Sequence, residues 1–522
     1  MSQSTPFPPL VREPDPVAGA EQHRTRGLIG VLASSRRLLV FVFMAVIFAG
    51  SARPILDPDF WWHLRTGQYL IQTRHIPYTD IFSSTRFGSE WVTHEWLSEV
   101  FMYSLYRALG LGGLIAVFSL IITAACWITY KRIEERAGHP YVSGFILILG
   151  GLATAPTWGV RPQMFTFLFA SIFIATLIAY VREAKHRGLW YLVPLMILWV
   201  NLHAGFALGL VLIFLTAVGL VLEEFFSGSW SYASAWQRVR PLCLTGAACA
   251  VAVLCNPNGP RMFVYPLETL RSQAMMKYID EWLSPNFHKV MFFPLGLFLL
   301  LLIGSLALSK KRVRITELLL MLVTAWASLR SARNVPFFIL IAMPVVAEHA
   351  WAVLKSRPRM KWLTAPEKIE TGVNARRKMV LNFLVLVMMP VLFASVRVRQ
   401  SVTEQPNEDA KLLPVAAAEF IRTQKPPQPI FNEYHWGGYL IWKLYPDYRI
   451  IIDGRADVYG DPFFDEFMST RGGEPNWRTS LDKYGVRTTV VMPDAPLASL
   501  LREDKNWDNV FEDKHSVVFV RK

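Results

Sequence analysis

The feature that most constrains this chain is a series of about eleven long apolar blocks, at residues 37–56, 111–130, 141–157, 162–181, 189–203, 205–226, 240–256, 291–309, 315–331, 334–354 and 379–396. A helix needs about 20 mainly apolar residues to cross roughly 30 Å of hydrocarbon, and most of these blocks meet that requirement. Of 522 residues, 52% are hydrophobic and only 18% are charged, against roughly 25% charged in a soluble protein. The expectation is therefore an α-helical polytopic membrane protein of about eleven transmembrane helices, and disordered, collagenous and disulfide-scaffold classes are excluded. Cys126, Cys243, Cys249 and Cys255 all fall in or beside apolar blocks and read as small packing residues, with no redox or zinc chemistry implied.

The formal net charge of +14 would raise nucleic acid as a partner of a soluble protein. Its distribution says otherwise. Arg24, Arg26, Arg36 and Arg37 precede the first block, and basic clusters recur at Lys131/Arg132/Arg136, Arg182/Lys185/Arg187, Arg238/Arg240, Lys310/Lys311/Arg312/Arg314 and residues 355–378. These are alternate loops, as the positive-inside rule requires of cytoplasmic ones. The alternation holds only if residues 96–109 lie along the outer interface instead of crossing. It predicts a multi-pass protein of the inner (plasma) membrane with a cytoplasmic amino terminus and an extracytoplasmic carboxyl terminus. Residues 1–36, rich in Pro and Arg and without a cleavage-site pattern after the first block, read as a disordered cytoplasmic tail. The excess charge is then an orientation signal and an attraction to anionic lipid, with no nucleic acid as partner.

After Val396 the chain becomes polar and rich in turns. Short β-like runs at residues 429–432, 448–453, 487–492 and 516–520 alternate with helical patterns at 415–423, 437–444 and 496–502, which predicts a soluble α/β domain over residues 397–522 on the outer face, a periplasmic domain in a two-membrane envelope. The transmembrane domain is expected to span residues 37–396, with an outer loop at 57–96. No internal repeat suggests the inverted halves of a transporter.

Charge in outer loops is not needed for orientation, so its presence there is informative. The loop opens Asp57-Pro58-Asp59-Phe60-Trp61-Trp62-His63-Leu64-Arg65 and closes Glu90-Trp91-Val92-Thr93-His94-Glu95-Trp96. On an interfacial helix Asp59 and His63 share one face. The tryptophans, Trp61 and Trp62 included, are better read as an aromatic belt than as substrate contacts. Anchoring does not explain an Asp-Pro-Asp turn at the bilayer rim. Paired carboxylates there can act as a general base or hold a divalent cation such as Mg or Mn, with Asp57, Asp59 and His63 as the ligand set; no cofactor is required by the pattern.

The other outward turns carry Trp158-Gly159-Val160-Arg161-Pro162-Gln163, Asn201-Leu202-His203, Asn256-Pro257-Asn258-Gly259-Pro260-Arg261 and Arg330-Ser331-Ala332-Arg333-Asn334. Arg161, Arg330 and Arg333 break the positive-inside bias, and a guanidinium is suited to bidentate phosphate recognition. Any one alone is equally a snorkelling Arg or, for His203, a packing imidazole. Together they place acids, imidazoles and guanidiniums on one side of the membrane, a pattern suited to a phosphate-bearing lipid. Asp280-Glu281-Trp282-Leu283-Ser284-Pro285 reads either as an interfacial segment closing over such a site or as a polar loop.

An apolar first crossing followed at once by paired acids, a long outer loop, and a second acidic cluster before the next crossing resembles the GT-C superfamily of membrane glycosyltransferases. That superfamily includes protein O-mannosyltransferases, the lipid A aminoarabinose transferase and oligosaccharyltransferases. The runs Asp57 to Gly67 and Trp91 to Leu97, with the Arg161, His203 and Arg333 turns, look like a bacterial, largely uncharacterised subgroup. The resemblance implies an enzyme of the cell envelope, a hexosyl- or pentosyltransferase that takes a sugar from a polyprenyl phosphate and passes it to a glycan, lipid or protein acceptor with inversion. It implies catalytic positions at Asp57 or Asp59 and at His94 and Glu95, and substrate contacts from His63, Arg161, His203, Arg330, Arg333, Trp61 and Trp62. Asp-Pro-Asp stands where several members have Asp-Glu, so the residues leave open which acid is the base.

Two other classes compete. A lipid or solute transporter or flippase would carry ionisable groups near the bilayer midplane, whereas Glu317 and Glu348 fall near loop ends. A non-catalytic membrane scaffold would use the outer domain, where Asp453-Gly454-Arg455-Ala456-Asp457-Val458-Tyr459 follows a β-like run; a surface Asp–Arg pair is the simpler account of that stretch.

Overall fold

The structure, a computed structural model, describes residues 35–228, 230–357 and 373–522. The expected amino-terminal tail, up to residue 34, and most of the basic stretch 358–372 lie outside the described residues. Helices stand at all eleven expected positions: α1 Ser35–Ser51, then, after the first-loop helix α2 Phe60–Thr73, α3 Trp96–Ala137, α4 Pro140–Thr154, α5 Gln163–Glu183, α6 Leu192–Leu202, α7 Phe206–Phe225 and α8 Tyr232–Val253. Two short outer helices follow, α9 Arg261–Arg271 and α10 Gln273–Tyr278, and then α11 Phe293–Leu308, α12 Ile315–Arg330, α13 Val335–Lys355 and α14 Val373–Leu412. Among the described residues, seven helices are long and apolar enough to cross a membrane by length and composition. The chain is a helical membrane protein.

Helix α3 breaks at Gly110, whose φ of 64° and ψ of −164° lie outside the helical region and are open to glycine alone at little cost. The break separates residues 96–109 from the apolar run beyond, where the charge alternation required a change of role. Around α3 pack α1, α2, α4, α5 and α13. Phe118, Phe173, Trp199 and Phe338 are fully buried among them. Small residues allow the closest approach, as expected of packing in lipid: a Cβ on Gly219 of α7 would stand 2.6 Å from the Thr316 Cα of α12.

At the basic-loop end, Glu317 binds Arg136 at 2.6 Å and Arg182 at 2.7 Å, while Glu348 binds Arg182 at 3.0 Å and Lys311 at 3.2 Å. Both acids are thus fixed in a lattice that ties α3, α5, α12 and α13 together. That lattice removes them as the movable proton carriers a transporter would need.

Helix α14 continues past Arg397 to Leu412 and leads into the carboxyl-terminal α/β unit. This unit contains α15 Val415–Gln424, β1 Ile430–Asn432, α16 Gly437–Leu444, α17 Ala456–Tyr459, α18 Asp461–Arg471, α19 Trp477–Lys483, β2 Thr488–Val491, α20 Pro496–Glu503, β3 Trp507–Glu512 and β4 Val517–Arg521. The sheet order is β1-β2-β4-β3, with β1 and β2 parallel and the other pairs antiparallel. Three of the four β-like runs become strands. The fourth, 448–453, meets the sheet only through a bridge between Ile450 and Ile430. Strand β3 was not expected, because it is an edge whose middle residues are exposed and carries no apolar alternation.

The first loop is sewn to this unit. Ser83 bridges Ile450 in parallel, Ser84 N donates to Ile450 O at 2.8 Å, and the Thr85 hydroxyl donates to Ile451 O at 2.7 Å. Beneath this seam the fully buried Arg455 reaches Asp80 at 2.8 Å and Asp453 at 2.6 Å, and Tyr459 OH donates to Asp453 at 2.6 Å. The simpler reading of Asp453 and Arg455 as a surface pair is therefore corrected: the pair forms, but as the core of a junction between two distant parts of the chain.

Candidate active site

Local chain chemistry sets the first acids. Asp57 Oδ1 accepts the Asp59 N–H at 3.0 Å, a turn typical of Asp, and α2 starts at the next residue. Asp59 occupies the N-cap position but its carboxyl makes no capping bond, which leaves it turned to a cavity of about 650 Å³. Asp57, Asp59, Trp62, His63, His94, Glu95, Arg161, His203 and Arg333 all line this cavity. Five separate stretches singled out in the sequence thus converge on one space.

Two expected residues do not reach it. Trp61 and Trp62 are neighbours on α2 and point about 100° apart; Trp61 turns to the carboxyl-terminal unit, 5.3 Å from the Tyr439 ring and 6.2 Å from Trp442. Arg330 ends α12 with an exposed side chain, while the chain turns at Ser331 and brings Arg333 to the cavity on a separate turn.

The charges are unevenly paired. Arg161 Nε holds Asp57 Oδ2 at 2.9 Å, and its Nη atoms hold Glu281, with Nη2 3.2 Å from Oε2. Glu281, in the turn Asp280–Trp282, is thereby held down to about 2: burial opposes its charge, but Arg161 outweighs it. The stretch 280–285 therefore contributes a wall and a counter-charge. Among the described residues no cation contacts Asp59. Burial, and then the neighbouring Asp57 charge, push it up to about 7 against the weaker pull of His63 and Arg161. Arg333 meets no acid at contact distance; it lies 5.3 Å over the Trp282 ring and 3.4 Å from His203 Nε2.

Two of the cavity histidines, His203 and His94, differ in protonation. His203 Nδ1 accepts the Gly205 N–H at 2.9 Å and lies 2.8 Å from the Thr166 hydroxyl, which itself accepts the Trp199 indole N–H at 2.8 Å. An accepting nitrogen carries no proton, so the ring is neutral with its hydrogen on Nε2. Burial, with Arg333 beside it, pushes His203 down to about 3 despite Glu95. His94 is the reverse: Nδ1 faces Val92 O at 3.1 Å and Nε2 faces Glu95 Oε1 at 2.7 Å. Both nitrogens donate, and although burial disfavours charge, Glu95 holds the imidazolium above its ordinary range.

The residues do not fit a metal. Among the described residues no three His, Cys, Asp or Glu side chains gather as a ligand set. Of the expected set of Asp57, Asp59 and His63, Asp57 is held by Arg161 and His63 Nδ1 lies 3.4 Å from Glu99 Oε1.

Sequence reasoning missed Glu99, Tyr265, Tyr434 and the cavity role of Asp457. Glu99 and Tyr265 sit in ordinary amphipathic stretches without a motif. Asp457 and Tyr434 are made relevant only by docking of the carboxyl-terminal unit, whose Gly454 lies so close that a Cβ there would stand 1.6 Å from Asp59 Oδ1. A second cavity, of about 580 Å³, shares Asp57, Pro58, Arg161 and Glu281 with the first and continues past Arg53, Leu56, Trp158 and Met291.

No family model and no curated protein matches the chain. Among solved structures it is similar to ArnT from Cupriavidus metallidurans bound to undecaprenyl phosphate, at 14% identity over 92% of this chain and 97% of that one, with a TM-score of 0.48. It is likewise similar to the archaeal oligosaccharyltransferase AglB from Archaeoglobus fulgidus in complex with an inhibitory peptide and a dolichol-phosphate, at 10% identity over 87% and 69%, TM-score 0.49. The arabinofuranosyltransferase AftD from Mycobacteria aligns at 13% identity over 94% of this chain and 40% of that one, TM-score 0.47. The chemistry rests on the cavity itself.

Proposed function

We propose that this chain is an integral membrane glycosyltransferase that moves a hexosyl or pentosyl group from a polyprenyl phosphate to an acceptor hydroxyl on the extracytoplasmic face, with Asp59 as base. The observation that carries the reading is the contrast between the two first-loop acids. Asp57 is neutralised by Arg161, whereas Asp59 is a half-buried carboxyl that no cation contacts among the described residues, open to the cavity and poised near neutral pH, as a general base should be.

In the reaction Asp59 takes the proton of the acceptor hydroxyl as its oxygen attacks the anomeric carbon. The bond from that carbon to the phosphate oxygen breaks on the opposite side, its electron pair leaves with the polyprenyl phosphate, and configuration inverts. Arg333, with the Nε2–H of neutral His203, is placed to meet the charge growing on the leaving phosphate. Arg161 orients Asp57 and Glu281, and the second cavity is the approach of the carrier lipid. The basic alternate loops support a cytoplasmic amino terminus in the plasma membrane. The reading divides the chain into a tail at 1–36, a transmembrane domain at 37–396 and an extracytoplasmic domain at 397–522.

The test is sugar transfer from polyprenyl-phosphate donors by purified protein in liposomes. Asp59→Asn should lower kcat by about 10²- to 10⁴-fold with normal expression, Asp57→Asn by less, and Arg333→Ala should weaken undecaprenyl phosphate binding. Full activity of Asp59→Asn overturns the assignment.

A further inference from the structure

We infer that the end of the cavity formed by Asp457, Tyr265, His94 and Glu95 is a recognition site for a vicinal diol, so that the acceptor is a sugar-type polyol. The inference rests on the transferase reading and adds the acceptor's chemical class.

Asp457, on α17, is the one carboxylate that the carboxyl-terminal unit presents to the cavity, and its side chain is accessible there. Its neighbour Arg455 cannot neutralise it, being held by Asp453 and Asp80. The Tyr265 hydroxyl is a donor beside this carboxylate at the same end of the cavity. Across from it, Glu95 Oε2 is buried and meets no donor among the described residues, while Oε1 is occupied by His94. Two acceptor oxygens on separate elements therefore look for hydrogen-bond donors in one space.

The choice of donor follows from charge and shape. The His94 imidazolium holds Glu95 Oε1 at 2.7 Å, with its ring 4.5 Å from that of Tyr265, and Arg333 lines the same cavity. A cationic ligand would meet both positive groups. Hydroxyls are neutral donors that satisfy the carboxylates without that repulsion, and two on adjacent carbons match two acceptors. Tyr278, Trp282 and Tyr434 supply aromatic faces for the C–H face of a ring. Tyr434 also connects this end to the base: burial, then the charges of Asp59 and Asp457 among others, push its hydroxyl well above its ordinary range. A sugar whose diol is held at Asp457 thus has Asp59 within the same enclosure.

The experiment uses the full chain in lipid nanodiscs and saturation-transfer NMR, with methyl α-D-mannopyranoside as a diol probe and its 3-deoxy counterpart, which has no two adjacent hydroxyls, as control. The mannoside should receive saturation from the wild type and bind about tenfold more weakly to both Asp457→Asn and Tyr265→Phe, the loss of one hydrogen bond to a charged group. Undecaprenyl phosphate binding, unchanged in Asp457→Asn, confirms that the variant is folded. Absence of mannoside binding to the wild type, equal binding by Asp457→Asn, or equal binding of the 3-deoxy probe each overturns the inference. Loss of transfer activity is not read here, so failure of the transferase reading appears separately, as full transfer by Asp59→Asn.

Discussion

Asp59 and Asp57 are two residues apart, yet one is an ion pair and the other an uncompensated acid. Only the ionised carboxylate accepts a proton, so kcat/KM should rise with pH through about 7 in wild type, and this limb should vanish in the residual activity of Asp59→Asn. Stability responds with a defined sign. A carboxyl raised from about 3.9 when unfolded to about 7 when folded stabilises the fold fully below the lower value and loses that contribution as pH rises to the upper one. The melting temperature of Asp59→Asn relative to wild type should therefore climb between about pH 4 and 7 and level off above. A constant difference across that window would mean that Asp59 titrates as an ordinary surface acid. Residue types and their spacing made Asp57, Asp59, His94, Glu95, Arg161, His203 and Arg333 legible in the sequence, because each interrupts an apolar or uncharged context. Which acid is free was not legible, since Arg161 lies about a hundred positions away and chooses Asp57 through tertiary packing.

At the scale of elements, the helices were legible because apolar length is a strong and local signal. Helix α6 shows the limit: the block at 189–203 folds as a short turn, His186–Tyr191, before an α-helix of only 11 residues. Strand β3 and the bridge at Ile450 were less accessible because pairing partners supply what the local pattern lacks. The contact between Gly454 and the α2 start belongs to this scale as well. Gly454→Ala puts a methyl group into the space of the Asp59 carboxyl, and a displacement of about 1 Å of a reacting group can cost about 10²-fold. We expect kcat to fall by that order and the limb near neutral pH to shift, while undecaprenyl phosphate binding persists. Wild-type kinetics in Gly454→Ala would show that the carboxyl-terminal unit does not set the base.

For the whole molecule, the Asp80–Arg455–Asp453 junction decides whether the first loop and the carboxyl-terminal unit behave as one body. Removing one member of a buried ion cluster strands a charge and costs about 3–5 kcal/mol. Arg455→Leu should accordingly open the seam: limited proteolysis should cut within residues 75–95 faster than in wild type, and transfer should fall although neither Asp59 nor Asp457 is changed. Asp80→Asn with Arg455→Leu together should be less damaging than the two single effects added. Unaltered cleavage in Arg455→Leu would make the junction a bystander.

The seam joins residues 366 positions apart, Ser84 to Ile450 and Thr85 to Ile451. At roughly 5–20 residues per second of synthesis, the ribosome needs roughly 20 to 70 seconds to deliver the second half of that pairing after the first. Throughout that interval the loop bearing Asp59 waits without its roof, with Asp80 sustained only by the Phe82 and Ser83 amides and the Ser83 hydroxyl. On the proposed function, the centre is therefore assembled only once residues 450–457 have been made, and a chain stopped before them has no working centre to misuse.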